Sequence, residues 1–161
     1  MSTVEDRLAE LGLSVPDVVP PVAAYVPAQR DGRRIYTSGQ LPFVDGRLTA
    51  VGRVGVEVSP EEAAECARTS ALNALAAVAE QADELDAVVR MVKVVVFVAS
   101  PPEFTRQPQV ANGASELFSA VLGDHGVHAR SAVGVAVLPL NAPVEVEVIA
   151  EVGSRPTIVP L

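Results

Sequence analysis

The stretch His128–Glu151, HARSAVGVAVLPLNAPVEVEVIAE, decides how this chain is read. Small and apolar residues alternate through most of it with the period of two that a half-buried strand requires. Leu138-Pro139 and the residues up to Pro143 interrupt the pattern, so the stretch predicts two strands joined as a C-terminal hairpin. Against that apolar background the lone guanidinium of Arg130 and the carboxylates of Glu145 and Glu147 stand out chemically. Glu145 and Glu147 share a strand face, while Val144, Val146 and Val148 take the other.

Upstream, Met91–Val98 is a β-branched run too rich in valine to prefer a helix, and predicts a central strand. Ser59-Pro60-Glu61-Glu62 supplies an N-cap, a proline at the first helical position and a glutamate at the third, opening a helix that runs to about Ala82. Ala64, Ala67, Ala71, Leu75 and Val78 recur in it at helical spacing, a stripe that lets the helix lie close on a sheet. Ser100-Pro101-Pro102-Glu103 opens a second helical region, broken near Pro108 and ending before Gly123. Towards the N-terminus, Ala23–Pro27 and Arg33–Ser38 flank Asp31-Gly32 as strands flank a hairpin turn, and Asp45-Gly46 signals another turn. Thr3 caps a short helix through Leu11, with Gly12 beyond its end.

This order of elements predicts an α+β fold, a mixed β-sheet with two main helices on one face. With 161 residues and no internal repeat, one domain spans 1–161. Residues 1–20 form an N-terminal helical extension and 153–161 a loose tail. Apolar residues make up 49% of the chain with no Trp, so the core must be built from Ala and β-branched side chains. The net charge of −8 argues against a large phosphate-neutralising surface and hence against nucleic-acid binding. A single cysteine, Cys66, permits no internal disulfide and suits a reducing compartment. The charged N-terminus lacks a secretory apolar segment, and no strand-forming run is long enough to span a bilayer, so a cytoplasmic protein is expected.

Ala129-Arg130-Ser131, Leu138-Pro139 and Val144-Glu145-Val146-Glu147 together resemble the C-terminal signature of the RidA/YjgF family, also called endoribonuclease L-PSP. The resemblance runs from about Pro21 to Val152 and points to a longer subgroup of that family. It implies a chorismate-mutase-like fold that assembles as a homotrimeric barrel, with sheets inside and helices outside. It also implies an enamine/imine deaminase that hydrolyses 2-aminoacrylate-type intermediates to 2-keto acids and ammonia, needing no cofactor. Two alternatives stand beside it: a non-catalytic trimer that binds a keto acid or similar metabolite, and an endoribonuclease.

By their residue type and strand periodicity alone, Arg130 and the two glutamates are ordinary solvated strand residues. The resemblance assigns Arg130 to the substrate carboxylate, for which a planar fork of donors is suited. It assigns Glu145 to positioning or activating water, and leaves Glu147 structural. Tyr25, Ser38 and Gly39 resemble ligand-pocket residues: Ser38 as a donor to the carboxylate, Gly39 as a point of close backbone approach, Tyr25 as a wall. Asn112 matches a pocket asparagine if one extra residue is allowed before Arg130. Ala132 stands where the best-known members often carry cysteine, so only its backbone can serve a ligand and no thiol chemistry is available there. Asp124, His125 and His128 lie together in a loop without a fourth partner, and loop polarity accounts for them better than a metal does. Cys66 reads as a packed residue, since no positioned base accompanies it.

Overall fold

The computed structural model describes residues 3–21, 23–82 and 84–153. Its elements follow in the order α1 (Val4–Glu10), β1 (Ala28–Asp31), β2 (Arg34–Thr37), β3 (Phe43–Val44), β4 (Arg47–Leu48), α2 (Pro60–Ala82), β5 (Val88–Ala99), α3 (Gln107–Leu122), β6 (Ala129–Val135) and β7 (Val144–Val152). The five longer strands form one sheet in the order β1-β2-β7-β5-β6, and β3 pairs with β4. The β5–β6 pair is parallel and every other pair in the sheet is antiparallel. This is the mixed sheet that the element order predicts.

Local chemistry explains most boundaries. Thr3 Oγ1 accepts from the Asp6 amide at 3.1 Å and Asp6 Oδ2 accepts from the Thr3 amide at 3.0 Å, a reciprocal cap that starts α1. Ser59 Oγ accepts from the Glu62 amide at 3.1 Å and caps the start of α2 from one side only. Pro108 does not break a helix. It occupies the first turn of α3, where an amide would lack an intrahelical partner anyway, and Ser100–Glu103 lies outside the helix.

Two strand expectations are corrected. The first strand is Ala28–Asp31 rather than Ala23–Pro27, because pairing of Asp31 with Arg34 places the turn at Gly32-Arg33 and fixes the register outward from there. The C-terminal strands are not a hairpin. β5 is inserted between β6 and β7, bonding to both, so the connection from Ala136 to Pro143 must cross its end. That connection is longer than the two to five residues of a tight hairpin, and it turns with Leu140 and Asn141 at positive φ. The tail beyond Gly153 lies outside the described residues.

The core lies between α2, α3 and one face of the sheet. Val94, Val96 and Val98 of β5 and Val144, Val146 and Val148 of β7 are all buried there, each contributing on the order of 1.5–3 kcal/mol. Small residues bring the helices together: a Cβ on Gly113 of α3 would collide with the Ala64 carbonyl of α2. Among the described residues no helix lies on the opposite sheet face. It carries half-buried Lys93, Val95, Phe97, Glu145, Glu147 and Ile149, with Tyr36 and Val133 exposed. Among the described residues no helix is long and apolar enough to cross a membrane.

Candidate functional site

Arg130 enters from β6, an edge strand. It registers with Val94 of β5, whose side chain lies under the helices, so Arg130 leaves the sheet on the helical side and meets α3. Its Nη1 donates to Asn112 Oδ1 at 2.9 Å and to Ser115 Oγ at 3.1 Å, and Nη2 donates to the Pro108 carbonyl at 3.3 Å. A guanidinium has five N–H donors. Three are committed here, and among the described residues Nε–H and one Nη2–H have no partner. Nε and Nη2 share one edge of the guanidinium, the kind of edge that can bridge a carboxylate. Asn112 is thus brought to Arg130. Ala132, two residues along the same strand face, stands beside them.

Glu145 enters from β7 and registers with Phe97, on the helix-free face. Its place is made by a bulge in β2. The β2–β7 pairing passes from Tyr36↔Ile149 to Gln40↔Val146, so one extra residue accumulates between Thr37 and Gly39. Thr37 Oγ1 takes the Val148 amide at 2.9 Å, keeping that donor satisfied across the irregularity. The bulge brings Gly39 against Glu145, whose carboxylate fills the space a Cβ at residue 39 would need. Burial, reinforced by the neighbouring charge of Glu147, pushes the Glu145 carboxyl above its ordinary value.

Ser38 sits in the same bulge, but its hydroxyl donates to the Val26 carbonyl at 2.6 Å. The proton that the resemblance offers to a substrate is therefore committed within the chain, and Ser38 ties the strand ends together instead. Tyr25, exposed, lines a niche of about 30 Å³ with Gly39, Val19 and Pro20. Glu147 faces a separate hollow beside Tyr36 and Lys93.

The predicted residues therefore fall into two groups. Arg130, Asn112 and Ala132 form one; Glu145, Gly39, Ser38 and Tyr25 form the other. Within a single chain β5 separates their strands by two spacings of about 4.8 Å, and Arg130 and Glu145 point away from opposite faces.

A family model described as "YjgF/chorismate_mutase-like, putative endoribonuclease" matches residues 5–152. The chain belongs to the YjgF/RidA family. The match begins well upstream of Pro21, so most of the N-terminal extension is part of the YjgF/RidA pattern of this chain. Protein TCP17 of Trypanosoma cruzi is 40% identical over 152 residues, covering 94% of this chain and 95% of TCP17. The crystal structure of Atu1372, a protein of unknown function from Agrobacterium tumefaciens, superposes with a TM-score of 0.86 at 43% identity, covering 93% of this chain and 92% of that one. Escherichia coli TdcF, solved with bound serine, gives a TM-score of 0.58 at 27% identity, covering 87% and 94% respectively.

Three side chains that hold this candidate site were not singled out from sequence. Ser115 brackets Arg130. Thr37 secures the bulge. Asn73, buried in α2, donates to the Leu41 and Phe43 carbonyls at 3.0 and 3.1 Å and fixes the chain leaving Gly39. Only Asn73 had a readable signal, a polar residue inside a buried alanine-rich helix. The other residues weighed are placed as follows. His125 Nδ1 lies 2.6 Å from the Val89 carbonyl, and His128 bonds to the Gly126 carbonyl and Ser115. Among the described residues no cluster of His, Cys, Asp and Glu is arranged for a metal ion. Cys66 is buried, and burial pushes its thiol up, away from the nucleophilic thiolate.

Proposed function

We propose that this protein is an enamine/imine deaminase that acts on small 2-aminoacrylate-type acids and works as a homotrimer. The observation that supports the reading most directly is the Arg130 guanidinium, fixed by three bonds to α3 with a two-donor edge left for a carboxylate. The serine bound by TdcF is an amino acid of comparable size, which favours the same ligand class. In this reading Arg130 holds the substrate carboxylate, and Asn112 and the Ala132 backbone border it. Glu145 takes a proton from water as the oxygen adds to the imine carbon. With the imine nitrogen protonated by solvent before attack, the carbinolamine is neutral. It collapses as Glu145 returns that proton to the departing nitrogen and the carbinol hydroxyl gives its own to water, yielding a 2-keto acid and ammonia. A carboxyl raised by burial is suited to that exchange, because it holds a proton more readily than an exposed glutamate. Glu147 has a structural part.

Because Arg130 and Glu145 leave opposite faces, the proposed site is completed by a second copy, with Gly39, Glu145 and Tyr25 of one subunit meeting Arg130 of its neighbour. The uncovered sheet face supplies the surface for that assembly. A coupled assay tests the activity: a dehydratase generates 2-aminoacrylate, and this protein should accelerate pyruvate and ammonia release. Saturable keto-acid binding without acceleration would instead make it a metabolite-binding trimer. Light scattering should give a trimer, and a fully active monomer would refute the shared site. RNA cleavage that survives stringent purification and disappears with Arg130→Ala would revive the nuclease reading, which the acidic balance disfavours.

A further inference from the structure

Behind Arg130 a short polar relay runs back into the loop before β6. His128 Nδ1 lies 2.6 Å from the Gly126 carbonyl, His128 Nε2 lies 2.8 Å from Ser115 Oγ, and Ser115 Oγ accepts from Arg130 Nη1 at 3.1 Å. A carbonyl oxygen can only accept, so Nδ1 carries the ring proton and Nε2 of the neutral ring is left as an acceptor. Nε2 therefore takes the Ser115 hydroxyl proton. That choice decides the relay, because it turns the lone pairs of Ser115 towards the guanidinium instead of its proton. The ring itself is held edge-on to Phe118, with centroids 5.9 Å apart. The rotor that would otherwise be free at Ser115 is set by a residue that never touches the ligand edge of Arg130.

We infer that His128 is a positioning residue for Arg130, acting through the Ser115 hydroxyl to hold the guanidinium edge in its carboxylate-binding orientation. The inference rests on the proposed role of Arg130 as the carboxylate anchor. Removing the ring leaves the Ser115 hydroxyl free to rotate and to bond with water, which weakens its hold on Nη1 and loosens the orientation of the guanidinium. The effect belongs to binding and not to proton transfer, because the relay ends on the guanidinium and bonds to no group that exchanges a proton with the substrate.

The experiment uses the full chain and its His128→Ala, His128→Gln, Ser115→Ala and double His128→Ala/Ser115→Ala variants. Pyruvate binding is followed by calorimetry and imine hydrolysis by KM and kcat, with the Arg130 side-chain NH signals recorded by nitrogen-15 NMR. His128→Ala and Ser115→Ala should each raise Kd and KM about three- to tenfold with kcat changed less than about twofold. The double variant should be no worse than either single one. Gln offers an amide oxygen near the Nε2 position, so His128→Gln should recover to within about twofold of the parent. Equal affinity of the parent and both single variants, or additive losses with no rescue by Gln, would overturn the inference. Should the parent bind no pyruvate, the anchor role itself is refuted. The relay is then judged by NMR alone, where restricted Arg130 NH signals in the parent and in His128→Gln, lost in His128→Ala, support it, and signals identical in all three overturn it.

Discussion

The two halves of the candidate site are held by opposite means. Arg130 is fixed by direct polar contacts, three hydrogen bonds from one guanidinium to one helix. Glu145 has no hydrogen-bond partner among the described residues, and its position depends on a missing side chain at Gly39 and on burial. The difference suits the role proposed for each group. An arginine is charged at any working pH, so only its orientation needs setting. A carboxylate that exchanges protons is better left without donors, because bonds from donors would favour its charged form and lower its pKa.

The sharpest way to break this comparison is at Arg130. Arg130→Ala should abolish keto-acid binding and turnover together, with kcat/KM falling about 100-fold or more, since two charge-assisted bonds contribute about 1.5–3 kcal/mol each. Arg130→Lys should recover little, as the ammonium keeps charge without the fork. Calorimetry that finds normal binding in Arg130→Ala would reject the site. Glu145→Gln should do the converse, keeping most of the affinity and losing about 100-fold in kcat. Near-normal hydrolysis by it would reject the mechanism. If the halves come from different subunits, co-refolding inactive Arg130→Ala with inactive Glu145→Gln should restore about a quarter of the sites. No recovery in verified mixed trimers would place both residues within one subunit's own site.

A smaller effect is expected at the contact that places Glu145. Gly39→Ala should leave the fold intact, as residue 39 needs no positive φ. The new methyl displaces the carboxylate, so kcat should fall on the order of tenfold while keto-acid Kd stays within about twofold, measured on the same preparations. The least of these changes is in stability. The folded state holds the Glu145 proton above the ordinary value of 4.5, so this residue costs stability increasingly as pH rises from there through its raised value. Glu145→Gln should therefore unfold at a higher temperature than the parent at pH 7, with the gap closing below about pH 4 in a thermal melt series. Glu147→Gln should alter binding and turnover less than Glu145→Gln.

Much of the fold was legible where the cause is local. The cap at Ser59, the alanine stripe to Ala82 and the valines of Met91–Val98 each act within a turn or along one strand, and each element lies where its residues place it. The C-terminal hairpin was not legible correctly, because alternation says that two segments are strands and says nothing about which strand lies between them. The eight residues from Ala136 to Pro143 were the available warning. In the site, Arg130, Glu145 and Gly39 could be picked out through motif spacing, whereas Ser115 and His128 could not, since a serine in an amphipathic helix and a histidine in a loop carry no pattern of their own.

The sequence by itself determined the chemistry present: Arg130 and a Glu-Val-Glu on C-terminal strands, a core of Ala and Val, and helices long enough to cover one sheet face. Only the tertiary structure decided that Arg130 faces the helices and Glu145 faces away. Side-chain direction alternates along each strand, but which face receives the helices depends on the insertion of β5 and on the bulge at Thr37–Gly39. Those are pairings between residues far apart in the chain, formed by backbone groups that every residue carries, and so they leave no mark in the order of side chains.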